Sequence, residues 1–251
     1  MISFELAAQP FADSDALKRE LQQLATFAPR FVSLCTYQPK REQLLRKLDA
    51  SPLALMPHLS CTHATETAVF KKLKLYQAVG INQLFVMRGD VNNPSALPRF
   101  QYASELLCFI NEHYPETFNF AVTGYPEGTA SDFDILKLKL SLGASCIITQ
   151  ACYNLSALQD FCSKIQAFAQ EVAIFLAIMP PPGKLEDLQS IGQNFNIHIP
   201  AWLIQAYNED QVETAFFNFC QQLPRVNFHL FSVTSRDAAK ISRLLKVLPR
   251  V

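Results

Sequence analysis

The chain is poor in glycine. Seven glycines in 251 residues contain no G-x-G-x-x-G and no G-x-x-x-x-G-K-[ST], so neither a Rossmann dinucleotide site nor a P-loop is supported. Charge of either sign is not in excess: 22 lysines and arginines balance 22 aspartates and glutamates. With no basic block either, nucleic acid and an anionic membrane surface are not expected partners. No apolar run reaches the ~18 residues of a membrane span. Met1-Ile2-Ser3-Phe4-Glu5 has neither the basic start nor the long apolar run of a signal peptide. There is no G-x-S-x-G, hence no recognisable nucleophile elbow. Cysteine is present but unpaired in number, seven in all, mostly inside apolar runs. Such cysteines behave as small hydrophobes, and a reduced, cytoplasmic protein is expected.

What is present is an alternation. Apolar strand-like runs at residues 2–6, 31–37, 53–61, 81–89, 118–125, 146–153, 172–179 and 228–233 are separated by helical patterns. Those helices are expected at 16–27, 41–48, 65–79, 103–113, 132–142, 156–168, 185–195, 209–223 and 236–245. Eight strand–helix units in a chain of this length read as a (β/α)8 TIM barrel, one catalytic domain over residues 1–251. A doubly wound open sheet is the runner-up, disfavoured because it would need one of the missing nucleotide motifs.

In a barrel the chemistry gathers at the carboxyl ends of the strands. The fourth run, Leu84-Phe85-Val86-Met87-Arg88-Gly89-Asp90, suits a strand covered on both faces and ends on an arginine, a glycine and a carboxylate. Arg88 offers a fork of donors with a fixed charge. Gly89 lets the backbone approach a bound group. Read alone, an Arg–Asp pair capping a loop explains these residues equally well. Other strand ends carry Glu5, Thr36-Tyr37, Pro57-His58, Tyr125-Pro126-Glu127, Thr149-Gln150 and Thr234-Ser235-Arg236. A glutamate facing a barrel interior is costly unless paired or neutral, and a neutral one can act as a general acid. The alternative is an exposed Glu5 near the chain start. His58, Cys61 and His63 suggest a metal site only superficially, because strand alternation sends Cys61 and His63 away from His58.

These strand ends, in order, resemble one family. Ser3-Phe4-Glu5, Pro57-His58-Leu59-Ser60-Cys61, residues 84–90, Tyr102-Ala103-Ser104, Tyr125-Pro126-Glu127, Gly143-Ala144 with Ile148-Thr149-Gln150, and Ile199-Pro200-Ala201-Trp202 resemble the methylenetetrahydrofolate reductases, with Phe228-His229 and Arg236 closing the match. The resemblance implies a flavoprotein barrel in which FAD takes hydride from NADH or NADPH and reduces 5,10-methylenetetrahydrofolate to 5-methyltetrahydrofolate. It implies Glu5 as the general acid that helps open the folate's five-membered ring, and Asp90 as a carboxylate beside flavin and pterin. Gln150 and Arg236 would hold the folate. Thr36, His58, Arg88, Gly89, Tyr102, Ala103, Tyr125, Asp132 and Lys139 fall where the family contacts FAD. A homo-oligomer is compatible with this reading.

The chain also departs from the family pattern. Ser-Phe-Glu is followed by Leu6-Ala7-Ala8-Gln9-Pro10, the segment after Tyr125-Pro126-Glu127 is short, and the loop Pro180-Pro181-Pro182-Gly183 lacks an aromatic. Ile135 and Leu138 stand where polar contacts to the distal half of FAD are expected. Two lost polar contacts amount to roughly tenfold to a thousandfold in affinity. Two readings follow: a working reductase with weakened FAD binding, or a non-catalytic folate-binding or partner-binding paralogue.

Overall fold

The computed structural model describes residues 1–6, 11–35, 39–47, 51–61, 64–89 and 99–249, with the backbone alone at 39–42. In chain order the elements are β1 (Ile2–Leu6), α1 (Ser14–Ala25), β2 (Val32–Leu34), α2 (Pro39–Arg46), β3 (Leu55–Ser60), α3 (Glu66–Ala78), β4 (Gln83–Met87) and α4 (Ala103–His113). They continue with β5 (Asn119–Gly124), α5 (Ala130–Ser141), β6 (Ala144–Thr149), α6 (Leu155–Phe168), β7 (Ala173–Ile178), α7 (Leu185–Phe195), α8 (Ala201–Asn208), α9 (Val212–Gln221), β8 (Asn227–Val233) and α10 (Ala238–Val247).

The strands are all parallel and close into an eight-stranded barrel, β1 pairing with both β2 and β8. That last pairing excludes an open sheet. The β1–β8 seam is irregular, with a shift in register between Phe4 and Leu6 and Ser232 at φ +53°.

Helix boundaries follow local chemistry. Asp13 caps α1 by accepting from the Ala16 N–H at 2.8 Å. Thr65 caps α3, and Asn154 caps α6. Thr129 and Asp132 make a reciprocal capping box at the start of α5. Such caps are worth about 1 kcal/mol each. Leu17, Leu21 and Leu24 recur at helical spacing on α1 and are all buried against the barrel wall.

The strands divide their side chains by alternation. Phe4, Leu6, Val32, Leu34, Leu59, Leu84, Val86, Val122 and Ile147 face the helices and form the outer core. Phe31, Met56, Phe85, Ala121, Ile148 and Phe175 form a separate apolar cluster. Because they occupy the other parity of their strands, this second cluster is the filling of the barrel.

Three expectations needed adjustment. Strand β6 starts at Ala144 and stops at Thr149, so residues 150–153 belong to the loop that follows. Regular pairing in β2 covers only Val32–Leu34. Helix α8, Ala201–Asn208, was not anticipated: it is only eight residues long and Pro200 stands at its N-cap, so it carries too few turns for a period to register. Among the described residues no helix is long and apolar enough to cross a membrane.

Gly124 ends β5 where α6 packs on the wall. A Cβ there would lie 2.7 Å from both Ile147 Cγ2 and Phe161 Cζ, two buried side chains. Gly124→Ala is expected to destabilise the fold by about 1–3 kcal/mol through overpacking, read as a lower urea midpoint at unchanged slope. An unchanged midpoint would mean that α6 moves freely.

Candidate active site

The polar residues of the barrel interior meet one another. On β1, inward alternation places Ser3 and Glu5; on β2 it places Ser33, on β3 His58, and on β8 His229. Ser3, Ser33, His58 and His229 are buried. Ser3 Oγ lies 2.7 Å from His229 Nδ1 and 3.5 Å from the Phe228 carbonyl. His229 Nε2 lies 3.4 Å from Ser33 Oγ. Ser33 Oγ lies 3.2 Å from His58 Nε2, and His58 Nε2 lies 3.6 Å from Glu5 Oε2. The result is a single column of polar atoms running from the backbone of β8 to the Glu5 carboxylate. Glu5, at 19% side-chain exposure, retains some access to solvent.

Aromatic rings pack along the column. Phe31 stacks on His229 at 5.8 Å, and Phe85 meets His58 edge-on at 5.0 Å. Complete burial pushes the His229 imidazole from an ordinary 6.5 to about 3, with His58 contributing in the same direction. His229 is therefore neutral at every physiological pH, and its two ring nitrogens are one donor and one acceptor.

The end of β4 presents a different surface. Arg88 is exposed, with its guanidinium 5.5 Å from the centre of the Tyr102 ring. Its backbone carbonyl accepts from Ser60 Oγ at 3.2 Å. Gly89 has φ +78°, a left-handed conformation that a side chain would strain. Tyr102 and Tyr125 remain 45% and 42% exposed, whereas Ala103 is buried at the first turn of α4. A cation over one half-exposed ring, beside backbone without a side chain, suits a planar ligand carrying negative charge. Asp90 and Thr36 lie outside the described residues.

Asp132 and Lys139 have local roles. The Asp132 carboxylate accepts from the hydroxyl and the backbone N–H of Thr129 at 2.7 and 2.8 Å. The Thr129 hydroxyl, then its N–H, hold Asp132 below the usual carboxylate range, with Lys139 adding to the effect. Lys139 is buried and donates from Nζ to the Thr123 carbonyl at 2.7 Å. Burial pushes its ammonium down to about 8, against the opposing influence of Asp132 and Cys61.

Gln150 follows β6 and donates from Nε2 to the Phe195 carbonyl at 2.5 Å. A carbonyl only accepts, so this contact fixes which way the amide points and leaves Oε1 as the acceptor offered to a ligand. The same contact draws the end of α7 to the end of β6. His198 Nδ1, just beyond α7, lies 3.5 Å from Glu127 Oε1, which also accepts from Asn154 Nδ2 at 3.1 Å. Arg236 is exposed in a 3-10 turn, Ser235–Asp237, held by Glu20 through the Ser235 N–H and hydroxyl. Burial pushes the Cys61 thiol up to about 12, which disfavours metal ligation. His63 lies outside the described residues, and no group of three metal-ligating side chains converges among the described ones.

The family model for methylenetetrahydrofolate reductase matches residues 1–223. The chain belongs to the methylenetetrahydrofolate reductase family. Methylenetetrahydrofolate reductase 1 of Schizosaccharomyces pombe is 34% identical over 133 residues, 49% of this chain and 22% of that protein. The 5,10-methylenetetrahydrofolate reductase of Escherichia coli is 26% identical over 229 residues, 85% of this chain and 76% of that one. The chain thus spans less than a quarter of the fission yeast protein and about three quarters of the bacterial one. Among solved structures, a 4-hydroxy-2-oxoglutarate aldolase superimposes with a TM-score of 0.54 at 12% identity, covering 99% of this chain and 94% of that one. A thermostable aldo-keto reductase gives 0.53 at 10%, covering 96% and 89%. At such identities the likeness concerns the barrel alone.

Ser33 and His229 were not singled out as site residues. The signal lay in the inward parity of β2 and β8, which both residues share with their strands' barrel-filling positions. Within this methylenetetrahydrofolate reductase family barrel, His229 also has a measurable thermodynamic effect. Its folded-state value near 3 lies below the unfolded 6.5, so between those values the unfolded chain binds more protons and stability falls as pH falls. The slope attributable to this residue approaches about 1.4 kcal/mol per pH unit. Urea denaturation from pH 7 to pH 4 should show that slope to be smaller in His229→Gln than in the parent; parallel curves would mean that the imidazole protonates freely in the folded state.

Proposed function

We propose that this protein is a flavin-dependent reductase of 5,10-methylenetetrahydrofolate, forming 5-methyltetrahydrofolate with NADH or NADPH as hydride donor. The reading treats residues 1–251 as one catalytic barrel acting in the cytoplasm, alone or as a homo-oligomer. The observation that carries it is Glu5: a largely sheltered carboxyl on β1, backed by His58, in a chain of this family.

The donor set fits a flavin. Tyr102 and Tyr125 offer ring faces, Arg88 a fixed charge, Gly89 close backbone, and His58, Lys139 and Asp132 polar groups; Thr36 would join them by the family pattern. A bound flavin supplies the two-electron relay between the nicotinamide and the folate. Glu5 supplies a proton. When the folate's five-membered ring opens, the nitrogen leaving the bridging carbon needs that proton as its C–N bond breaks, and the carbon becomes an iminium. By the family pattern, the Asp90 carboxylate would favour a cation of that kind. Gln150 offers Oε1 to a ligand N–H, and Arg236 a positive charge to an acidic tail.

A second reading, a non-catalytic binding paralogue, draws support from α5. Ile135 and Leu138 are 38% and 49% exposed and offer no polar group to the distal half of FAD. Two measurements separate the readings. Titration with FAD should produce a flavin spectral change and a thermal shift; none at high micromolar FAD would leave the binding paralogue. In stopped-flow, Glu5→Gln should leave flavin reduction by NAD(P)H within a few-fold of the parent and slow folate-dependent reoxidation about a hundredfold or more, as loss of a general acid does. Equal losses in both half-reactions would assign Glu5 a structural role instead.

A further inference from the structure

The column behind Glu5 has a direction. We propose that Ser33 and His229 are positioning residues that lock His58 with its proton on Nε2, aimed at the Glu5 carboxylate; this rests on the reading of Glu5 as the acid.

The argument starts at the closed end. The Phe228 carbonyl can only accept, so Ser3 Oγ, 3.5 Å away, donates to it. Having committed its proton, Ser3 must accept from His229 Nδ1 at 2.7 Å, which places the proton of that neutral ring on Nδ1. His229 Nε2 is then bare and accepts the Ser33 hydroxyl proton. Ser33 in turn can only accept at its remaining contact, so His58 Nε2 carries a proton and donates toward it at 3.2 Å. The same Nε2–H faces Glu5 Oε2.

The open end favours this order once Glu5 has given up its proton. A reversed column would then set the bare nitrogen of His58 against the Glu5 carboxylate, lone pair against lone pair. Neutrality of His229 is essential, because a doubly protonated ring would donate at both ends and erase the direction; its complete burial keeps it neutral. No net charge moves and no proton crosses the column. A donor held toward Glu5 stabilises the carboxylate left after the proton has gone to substrate, so it assists release without touching substrate.

The test is nitrogen NMR of the full chain labelled at its five histidines, with assignments made from His58→Gln and His229→Gln. Each tautomer has its own pair of ring shifts. The parent should show His229 as Nδ1–H and His58 as Nε2–H. In Ser33→Ala, His58 should become a mixture of tautomers, and Ser33→Thr, which restores a hydroxyl, should return it toward the parent state. The proposal is overturned by a parent His229 protonated on Nε2, or by an unchanged His58 in Ser33→Ala. Neither outcome depends on turnover, so the column can stand if the reductase reading fails. If turnover is present, Ser33→Ala should slow folate-dependent reoxidation about tenfold while flavin reduction stays within twofold; equal slowing of both would reduce Ser33 to a packing role.

Discussion

Burying polar side chains inside a parallel barrel constrains every neighbour they have. Ser3, Ser33 and His229 are wholly withdrawn from water and His58 nearly so, and each such group left without a partner would cost about 1–3 kcal/mol. They are tolerable because each sits against the next, in a run that begins on a backbone carbonyl and ends on a carboxylate. The aromatic filling from Phe31 and Phe85 excludes water from the column's flanks. Strand register is then no longer free: a slip of one residue in β2 would turn Ser33 outward into the leucine-rich outer core and bring Val32 or Leu34 inward.

The mouth is framed by strand ends and helix starts. The Arg88 guanidinium lies over the Tyr102 ring, and the backbones of Arg88, Tyr102 and Tyr125 are positioned by the end of β4, the first turn of α4 and the end of β5. Helix α7 is tied across the ends of β5 and β6 through Gln150 and Phe195, and through His198 and Glu127.

Much of this was legible in the sequence because parallel barrels write their pattern plainly. Buried strands read as apolar runs, and Glu5, Arg88 and Gln150 interrupt those runs where strands end. The partners of Glu5 were harder to see. Ser33 sits among Val32 and Leu34 and looks like any small strand residue; only the closed ring brings it between two histidines from strands that are distant in sequence. Asp132 and Lys139 were read as cofactor contacts, yet their chemistry is also spent locally, on the Thr129 cap and the Thr123 carbonyl. Helix α8 escaped notice because eight residues hold little more than two turns.

The β1–β8 seam carries a consequence for how the molecule comes into being. Ser3 and His229 are 226 positions apart, and Ser33 and His229 are 196 apart. Every strand from β1 to β8 has to emerge from the ribosome before the last can slot beside the first, and contacts of such long range form slowly. An arc of seven strands would hold Glu5, His58 and Ser33 without the His229 imidazole that sets their direction. The column is therefore completed only when the ring closes, and a nascent chain short of β8 lacks its closed end.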